Sequence, residues 1–322
     1  MPLVIEHPGK HACARDALTV GLLNNMPDSA LEATERQFAA LLGGASGPYE
    51  VRLRFSSIPE VPRGPAALER IQREYWPLER LLADVPDALI VTGMEPKAPM
   101  LEDEPYWERM TRLLEWVERH AVSSVWSCLA AHVAAQALAG VRRQRLPEKR
   151  FGVFAHHELT PHLLLQGIEA PLITPHSRWN DLPVQALEEA GFEVLSASPS
   201  TGADLFVRER NALLVAFQGH PEYEAITLLK EYRRDVGRFL HGEQPGWPTA
   251  PSGYFSRQAC ELLEAFRERA SDPRSKEEFP YQELAAQCQA PWQAAGIAIY
   301  RNWLSHVAGL RGRLHLRATA KV

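Results

Sequence analysis

Short, wholly apolar runs alternate with amphipathic segments through the first half of the chain. Ala17-Leu18-Thr19-Val20-Gly21-Leu22-Leu23 has strand length and no polar face, which suits a strand buried on both sides. It stops at Asn24-Asn25-Met26-Pro27-Asp28. Asp28 or Ser29 then caps a predicted helix carrying Leu31, Phe38, Leu41 and Leu42 at helical spacing, ended by Gly43-Gly44. Alternation in Val51-Arg52-Leu53-Arg54-Phe55 predicts a half-exposed strand at a sheet edge. A helix rich in Arg, Glu and Leu is expected over 66–83, and a buried strand over Ala88-Leu89-Ile90-Val91, stopped by Thr92-Gly93. Trp107, Met110, Leu113, Leu114 and Val117 mark the next amphipathic helix. Ser124-Val125-Trp126 is a short strand that runs straight into Cys128 and an Ala-rich helical segment over 129–139.

The second half predicts strands at 192–197, 205–208 and 213–217, the last two joined as a hairpin by Glu209-Arg210-Asn211. The final strand ends at Gly219-His220-Pro221-Glu222, and a helix follows over 223–240. Residues 242–253 are rich in Pro, Gly and Trp and are expected as a loop; Asp272 to Glu278 is a polar connector within a helical tail. Strand-helix alternation predicts an α/β fold with a mostly parallel central sheet flanked by helices, plus a helical C-terminal tail. No linker is long enough to separate two units. One domain is expected over 1–322, with its core at about 17–245 and a helical extension at about 254–322.

Composition narrows the classes without choosing among them. The 322 residues are 45% hydrophobic and 23% charged, which is ordinary for a globular chain and excludes a disordered or fibrous one. Lys plus Arg number 35 against 40 Asp plus Glu, a formal charge of -5, so the chain lacks the basic footprint of a nucleic-acid binder. No apolar run approaches the ~20 residues of a membrane span, and the N-terminus has no signal-peptide layout. The four cysteines, Cys13, Cys128, Cys260 and Cys288, show no CxxC spacing, so a reduced, cytoplasmic setting and no membrane partner are expected.

Cys128 stands between a buried strand and a helix start, where open α/β sheets place their sites and where a helix N-terminus favours the thiolate. The plainer alternative is a small buried core residue. Of 12 histidines, His220 is the best-placed base, just past the end of a predicted core strand. Glu222, two residues on, is placed to hold one imidazole nitrogen, the third role of a triad. His156-His157, His162 and His176 lie in loop-like sequence, and no pair has zinc spacing, so no metal is expected. Neither a phosphate-binding P-loop nor G-x-G-x-x-G is present. Arg142-Arg143-Gln144-Arg145 with Lys149-Arg150 is a basic stretch able to meet a phosphorylated cofactor, with a solvated charged loop as the simpler reading.

Several motifs together resemble the homoserine O-acyltransferases of the MetA type. They are Gly21-Leu22-Leu23-Asn24-Asn25-Met26-Pro27, the elbow Val125-Trp126-Ser127-Cys128, Glu148-Lys149 before Gly152-Val153, Pro175-His176-Ser177-Arg178, Gly219-His220-Pro221-Glu222-Tyr223, Arg234-Asp235 and Asn302-Trp303-Leu304. The resemblance runs from about residue 17 to 305, with the motifs in the family's order. It implies a fold similar to class I glutamine amidotransferases and transfer of an acyl group from acyl-coenzyme A to the hydroxyl of L-homoserine, an early step of methionine biosynthesis. It places the acyl-accepting nucleophile at Cys128, the base at His220 and the orienting carboxylate at Glu222. It also implies substrate contacts from Lys149, Ser177 and Arg234, a homodimer, and no permanently bound cofactor. For Arg234 the residues alone favour a surface arginine paired with Asp235 or Glu231. The oxyanion hole that such chemistry requires is expected at the backbone of Leu129, with a second donor from the loop at Met26 to Ser29.

Two positions depart from the pattern. Family members often carry lysines after Met-Pro, whereas Asp28 and Ser29 stand here, so the second donor is expected from the Ser29 backbone or hydroxyl. At the acyl-selecting position, where Glu goes with acetyl and Gly with succinyl transfer, this chain has Lys97. A cation attracts the terminal carboxylate of succinyl-coenzyme A, so succinyl is the expected donor; Glu95 would invert that argument if it faced the pocket instead, and a solvent-facing Lys97 would void it. The competing readings are acetyl transfer, acyl transfer to another hydroxy amino acid such as serine, a glutamine amidotransferase-like hydrolase, and a non-catalytic binding module. The Trp126 and Ala130 flanks of Cys128 weigh against the hydrolase, whose elbow reads Gly-x-Cys-x-Gly.

Overall fold

The computed structural model describes residues 3–9, 16–270 and 278–319. Cys13 and all of the expected polar connector but Glu278 lie outside them. In chain order the elements are β1 (Leu3–Ile5), β2 (Leu18–Leu23), α1 (Leu31–Ala45), β3 (Val51–Ser56), α2 (Pro65–Glu74), α3 (Leu78–Ala83), β4 (Ala88–Val91), α4 (Trp107–His120), β5 (Ser123–Ser127) and α5 (Leu129–Ala139). Then come β6 (Gln144–His156), β7 (Glu158–Leu159), β8 (Leu172–Asp181), α6 (Val184–Glu189), β9 (Glu193–Ser198), β10 (Gly202–Glu209), β11 (Leu213–Phe217), α7 (Thr227–Leu240), α8 (Arg257–Ala270), α9 (Tyr281–Ala285) and α10 (Gln293–Thr319).

One sheet runs β1-β3-β2-β4-β5-β11-β10-β9-β7, and β6 pairs with β8 in a separate antiparallel ribbon. From β1 through β11 neighbouring strands are parallel; β10, β9 and β7 extend the sheet antiparallel. The apolar runs explain why both faces are covered, since successive residues point to opposite sides. Leu22, Ile90, Val125, Val215 and Phe217 join the cluster under α1 and α10, while their neighbours Leu23, Val91, Trp126, Leu214 and Ala216 join the cluster under α4 and α5. Trp303 and Leu304 of α10 are fully buried in the first of these. A third cluster packs α7, α8 and α9 against Phe151 of the ribbon. No described helix is long and apolar enough to cross a membrane.

Five expectations change. The segment at 51–56 is not an edge strand, because β1 pairs along its outer side. Its apparent polar face is a buried ion pair: Arg54 Nε lies 2.8 Å from Glu6 Oε2 and its Nη1 2.9 Å from Asp84 Oδ2, with the guanidinium 4.3 Å over the Trp76 ring. The single helix expected over 66–83 is two, since Pro77 forces the preceding residues out of helical geometry, and the Trp76 amide bonds Phe55 O of β3 at 2.7 Å. Gly43 and Gly44 lie inside α1, and α7 begins at Thr227 rather than at 223. The loop-like region holding His156 and His176 is the β6–β8 ribbon, and both rings are fully buried. Its strands escaped notice because Pro147 and the run Glu148-Lys149-Arg150 break any two-residue alternation.

Candidate active site

The carboxyl ends of β2, β4, β5 and β11 lie side by side, so the turns at Asn24, Thr92, Cys128 and Gln218 open on one edge of the sheet, where such sheets collect their chemistry. Cys128 makes the sharpest turn, with φ at 53° and ψ at -114°. A β-carbon is costly at positive φ, and the turn is held from both sides. The Cys128 amide bonds Phe217 O at 2.7 Å, and the Cys128 carbonyl accepts the Ala131 amide of α5 at 3.0 Å. Gly93 packs flat against this elbow; a β-carbon there would lie 3.2 Å from the Leu129 amide nitrogen and 3.4 Å from Cys128 Cβ.

His220 reaches the elbow from the end of β11. Its amide bonds Pro175 O at 2.9 Å, and its ring stacks on Tyr223 with centroids 4.2 Å apart. Nδ1 lies 2.8 Å from Glu222 Oε1, which leaves Nε2 as the ring nitrogen not engaged by the carboxylate, and Cys128 is near enough to act on the ring. His220 and Glu222 are 5% and 8% exposed. Burial pushes the imidazole pKa down, but Glu222 and then Cys128 outweigh it and hold His220 well above its ordinary value of 6.5. Cys128, His220 and Glu222 therefore form one connected constellation.

The remaining expected residues divide between two places. Lys149 and Ser177, from the two strands of the ribbon, converge on α7: Ser177 Oγ donates to Glu231 Oε2 at 2.5 Å, and Lys149 Nζ lies 3.3 Å from Asp235 Oδ2 and 3.6 Å from Glu231 Oε2. Tyr223 donates to Glu231 Oε1 at 2.8 Å, so Glu231 ties this group to the ring stacked on His220. Arg234 pairs with Asp235 at 2.9 Å, and its side chain is 59% exposed. Ser29 and Lys97 line a different hollow, a pocket of about 360 Å³ whose walls include Asn25, Met94, Glu95 and Tyr106. Cys128 lies beyond Gly93 and is not in its wall. Both Lys97 and Glu95 face this pocket.

The turn after β2 is stapled from below. Arg63 donates to Met26 O, to Asn24 O at 3.0 Å and to Asp28 Oδ1 at 3.3 Å. Asn25 accepts the Ile58 amide at 3.0 Å, and its own amide bonds Thr92 Oγ1 at 2.8 Å. Asn25 thus locks the turns after β2 and β4 to each other beside the pocket.

Behind His220 lies a network that linear spacing did not reveal. His156, His176 and Asp204 bring ligand-type atoms within 4.8 Å of one another, all buried. Hydrogen-bond chemistry assigns them a different task from holding a cation. Arg178 Nε, which can only donate, stands 3.3 Å from His176 Nδ1, so that nitrogen accepts and Nε2 carries the proton. The Asp204 oxygens accept from the Gly219 amide and Thr174 Oγ1, each at 2.9 Å. Burial, with Arg178 nearby, holds the His176 pKa well below its ordinary value. This buried, hydrogen-bonded set ties β8 and β10 to the turn that presents His220.

The family model for homoserine O-succinyltransferase matches residues 4–310. The chain belongs to the homoserine O-succinyltransferase family. A relative of that name from Rhodopseudomonas palustris is 44% identical over 304 residues, 94% of this chain and 91% of the relative. Another, from Methylorubrum extorquens, is 46% identical over 294 residues, covering 90% and 87%. The fold of this homoserine O-succinyltransferase family member is similar to a glutamine amidotransferase from Methylobacillus flagellatus, with a TM-score of 0.52 at 16% identity over 91% of this chain and 95% of the other. One from Thermotoga maritima scores 0.50 at 12% identity, covering 92% and 99%. The expected α/β architecture, with its amidotransferase-like sheet and C-terminal helix, holds.

Proposed function

We propose that this chain transfers a succinyl group from succinyl-coenzyme A to the hydroxyl of L-homoserine, a step of methionine biosynthesis, through an acyl-enzyme on Cys128. The observation that carries the proposal is the Glu222–His220 hydrogen bond beside Cys128, which stands on a strained elbow at the parallel edge of the sheet. The family membership and the names of the relatives support substrate and reaction.

In the first half-reaction the Cys128 thiolate attacks the thioester carbonyl. The new C–S bond forms, the bond to coenzyme A breaks, and the departing thiolate takes the proton from His220. In the second, the homoserine hydroxyl attacks the Cys128 thioester while His220 removes its proton, and the Cys128 sulfur leaves as thiolate. On this reading the amide of Leu129, first in α5, stabilises the oxyanion, with the Ser29 loop, across Gly93, as the second donor. Lys149, Ser177 and Arg234 hold homoserine, with the exposed Arg234 fork suited to its carboxylate. Lys97 attracts the distal carboxylate of the succinyl group.

A specific observation favours the acetyl reading as runner-up: Glu95 shares the pocket with Lys97 and offsets its charge. Intact-protein mass after mixing with succinyl- or acetyl-coenzyme A decides. A succinyl adduct that Cys128→Ala abolishes and homoserine discharges is the expected result. An acetyl-only adduct overturns the donor assignment, and no adduct from either overturns the acyl-enzyme.

A further inference from the structure

The basic stretch after α5 has no part in the chemistry above, yet its arginines are held in place. Arg142, Arg143 and Arg145 line a cleft of about 150 Å³ together with Gln136, Asn180 and the segment Pro99–Leu101. Arg143 is half-buried, and its Nη2 donates to Pro99 O at 3.2 Å. The Arg145 guanidinium lies 4.4 Å over the ring of Trp179, an indole that is 45% exposed. The facing carboxylates are Glu102, 3.3 Å from Arg142, and Glu104, whose charge reaches Arg143. A merely solvated loop would leave its arginines extended in water; here one is hydrogen-bonded to backbone and one is stacked. The chain as a whole carries a charge of -5, so three arginines around one cleft stand out against the background.

The cleft also has a fixed relation to Cys128. Cys128 caps the start of α5 and Gln136 sits a little over two turns further along it, about 12 Å by helical rise. The segment from Gly93 to Leu101 bridges the same interval on the surface: Gly93 touches the elbow, Met94 and Lys97 line the pocket beside it, and Pro99–Leu101 form the cleft wall.

We infer that this cleft seats the phosphate-bearing nucleotide end of the acyl-coenzyme A donor, with Arg142, Arg143 and Arg145 on its phosphates and the exposed face of Trp179 beside its base. Guanidinium forks match phosphate oxygens two at a time, and the pantetheine arm then lies along 93–101 with its thioester at Cys128. The inference rests on the proposed acyl transfer for the identity of the donor.

Two readouts separate its failure from that of the acyl transfer. In calorimetry, free coenzyme A should bind the wild type and lose about tenfold or more in affinity in the Arg143→Ala/Arg145→Ala double variant, since each hydrogen bond to a charged group contributes that order. In turnover, the advantage of succinyl-coenzyme A over succinyl-pantetheine, which lacks the nucleotide, should shrink by a similar factor in the double variant and in Trp179→Ala. Equal losses on both donors, or unchanged coenzyme A affinity, overturn the inference. Tight, arginine-dependent binding of coenzyme A without any acylation would leave the cleft standing and sink the acyl-enzyme instead.

Discussion

Replacing Glu222 with Gln keeps the shape of the carboxylate and removes its charge. Glu222 Oε1 lies 2.8 Å from His220 Nδ1 in a site where the two are only 8% and 5% exposed, so solvent screens the pair little. Burial works against the imidazolium; Glu222 is the largest influence opposing it, followed by Cys128. A hydrogen bond to a charged group contributes about 1.5–3 kcal/mol net, so Glu222→Gln should remove support of that order from the imidazolium and the His220 midpoint should fall. A raised histidine favours the native state fully below its ordinary value of 6.5, and that contribution fades as pH climbs through the raised value. In the variant that contribution is smaller and is gone at a lower pH. The midpoint is read by titrating the His220 ring in NMR spectra, with His220→Asn to assign its signal among 12 histidines. Acyl transfer at neutral pH should drop about 10- to 100-fold, the same free energy expressed as rate. A midpoint that does not move refutes the charge argument, even if activity falls.

Two further substitutions test the surroundings. Glu231→Gln should lower kcat/KM for homoserine about tenfold or more, by weakening the hold on Lys149, Ser177 and Tyr223; acylation of Cys128 by the donor should be unaffected, and an equal loss in both half-reactions would refute a role confined to the acceptor. Gly152→Ala should destabilise the fold by about 1–3 kcal/mol, seen as a lower urea midpoint. Gly152 sits at a φ of +146°, and a β-carbon would fall 2.2 Å from Ser252 O. An unchanged midpoint would mean that the 252 segment does not pack there.

What the sequence made legible follows from what is local. Apolar runs such as Ala88-Leu89-Ile90-Val91 report burial on both faces, and the places where they stop, at Thr92, Cys128 and Gln218, mark the sheet edge where the site opens. Cys128 and His220 were therefore placeable before any contact was known. The ribbon was not, because Pro147 and three consecutive charged residues hide its alternation, and with it went the burial of His156 and His176. Arg54 misled for a related reason: a polar residue at an alternating position signals exposure only if nothing pairs with it, and Glu6 and Asp84 come from distant parts of the chain. Glu231 was visible only as one partner for Arg234. The structure turns it instead toward Ser177, Tyr223 and Lys149, whose convergence depends on how the ribbon docks on α7.

On the proposed acyl-enzyme route, the same network gives a reason for one histidine to serve both half-reactions. Two partners raise His220 in the free enzyme, and one of them is Cys128 itself. Once Cys128 carries an acyl group it is a neutral thioester and no longer raises the imidazole. Burial is then opposed by Glu222 alone, and the His220 pKa falls. A group that begins as an acid, ready to protonate the departing coenzyme A thiolate, becomes a base when homoserine arrives. The turn behind it does not change meanwhile, because Asp204 holds the Gly219 amide and Pro175 O holds the His220 amide. On this reasoning the switch between acid and base comes from the chemistry of Cys128, while the buried polar set keeps the imidazole in place through both steps.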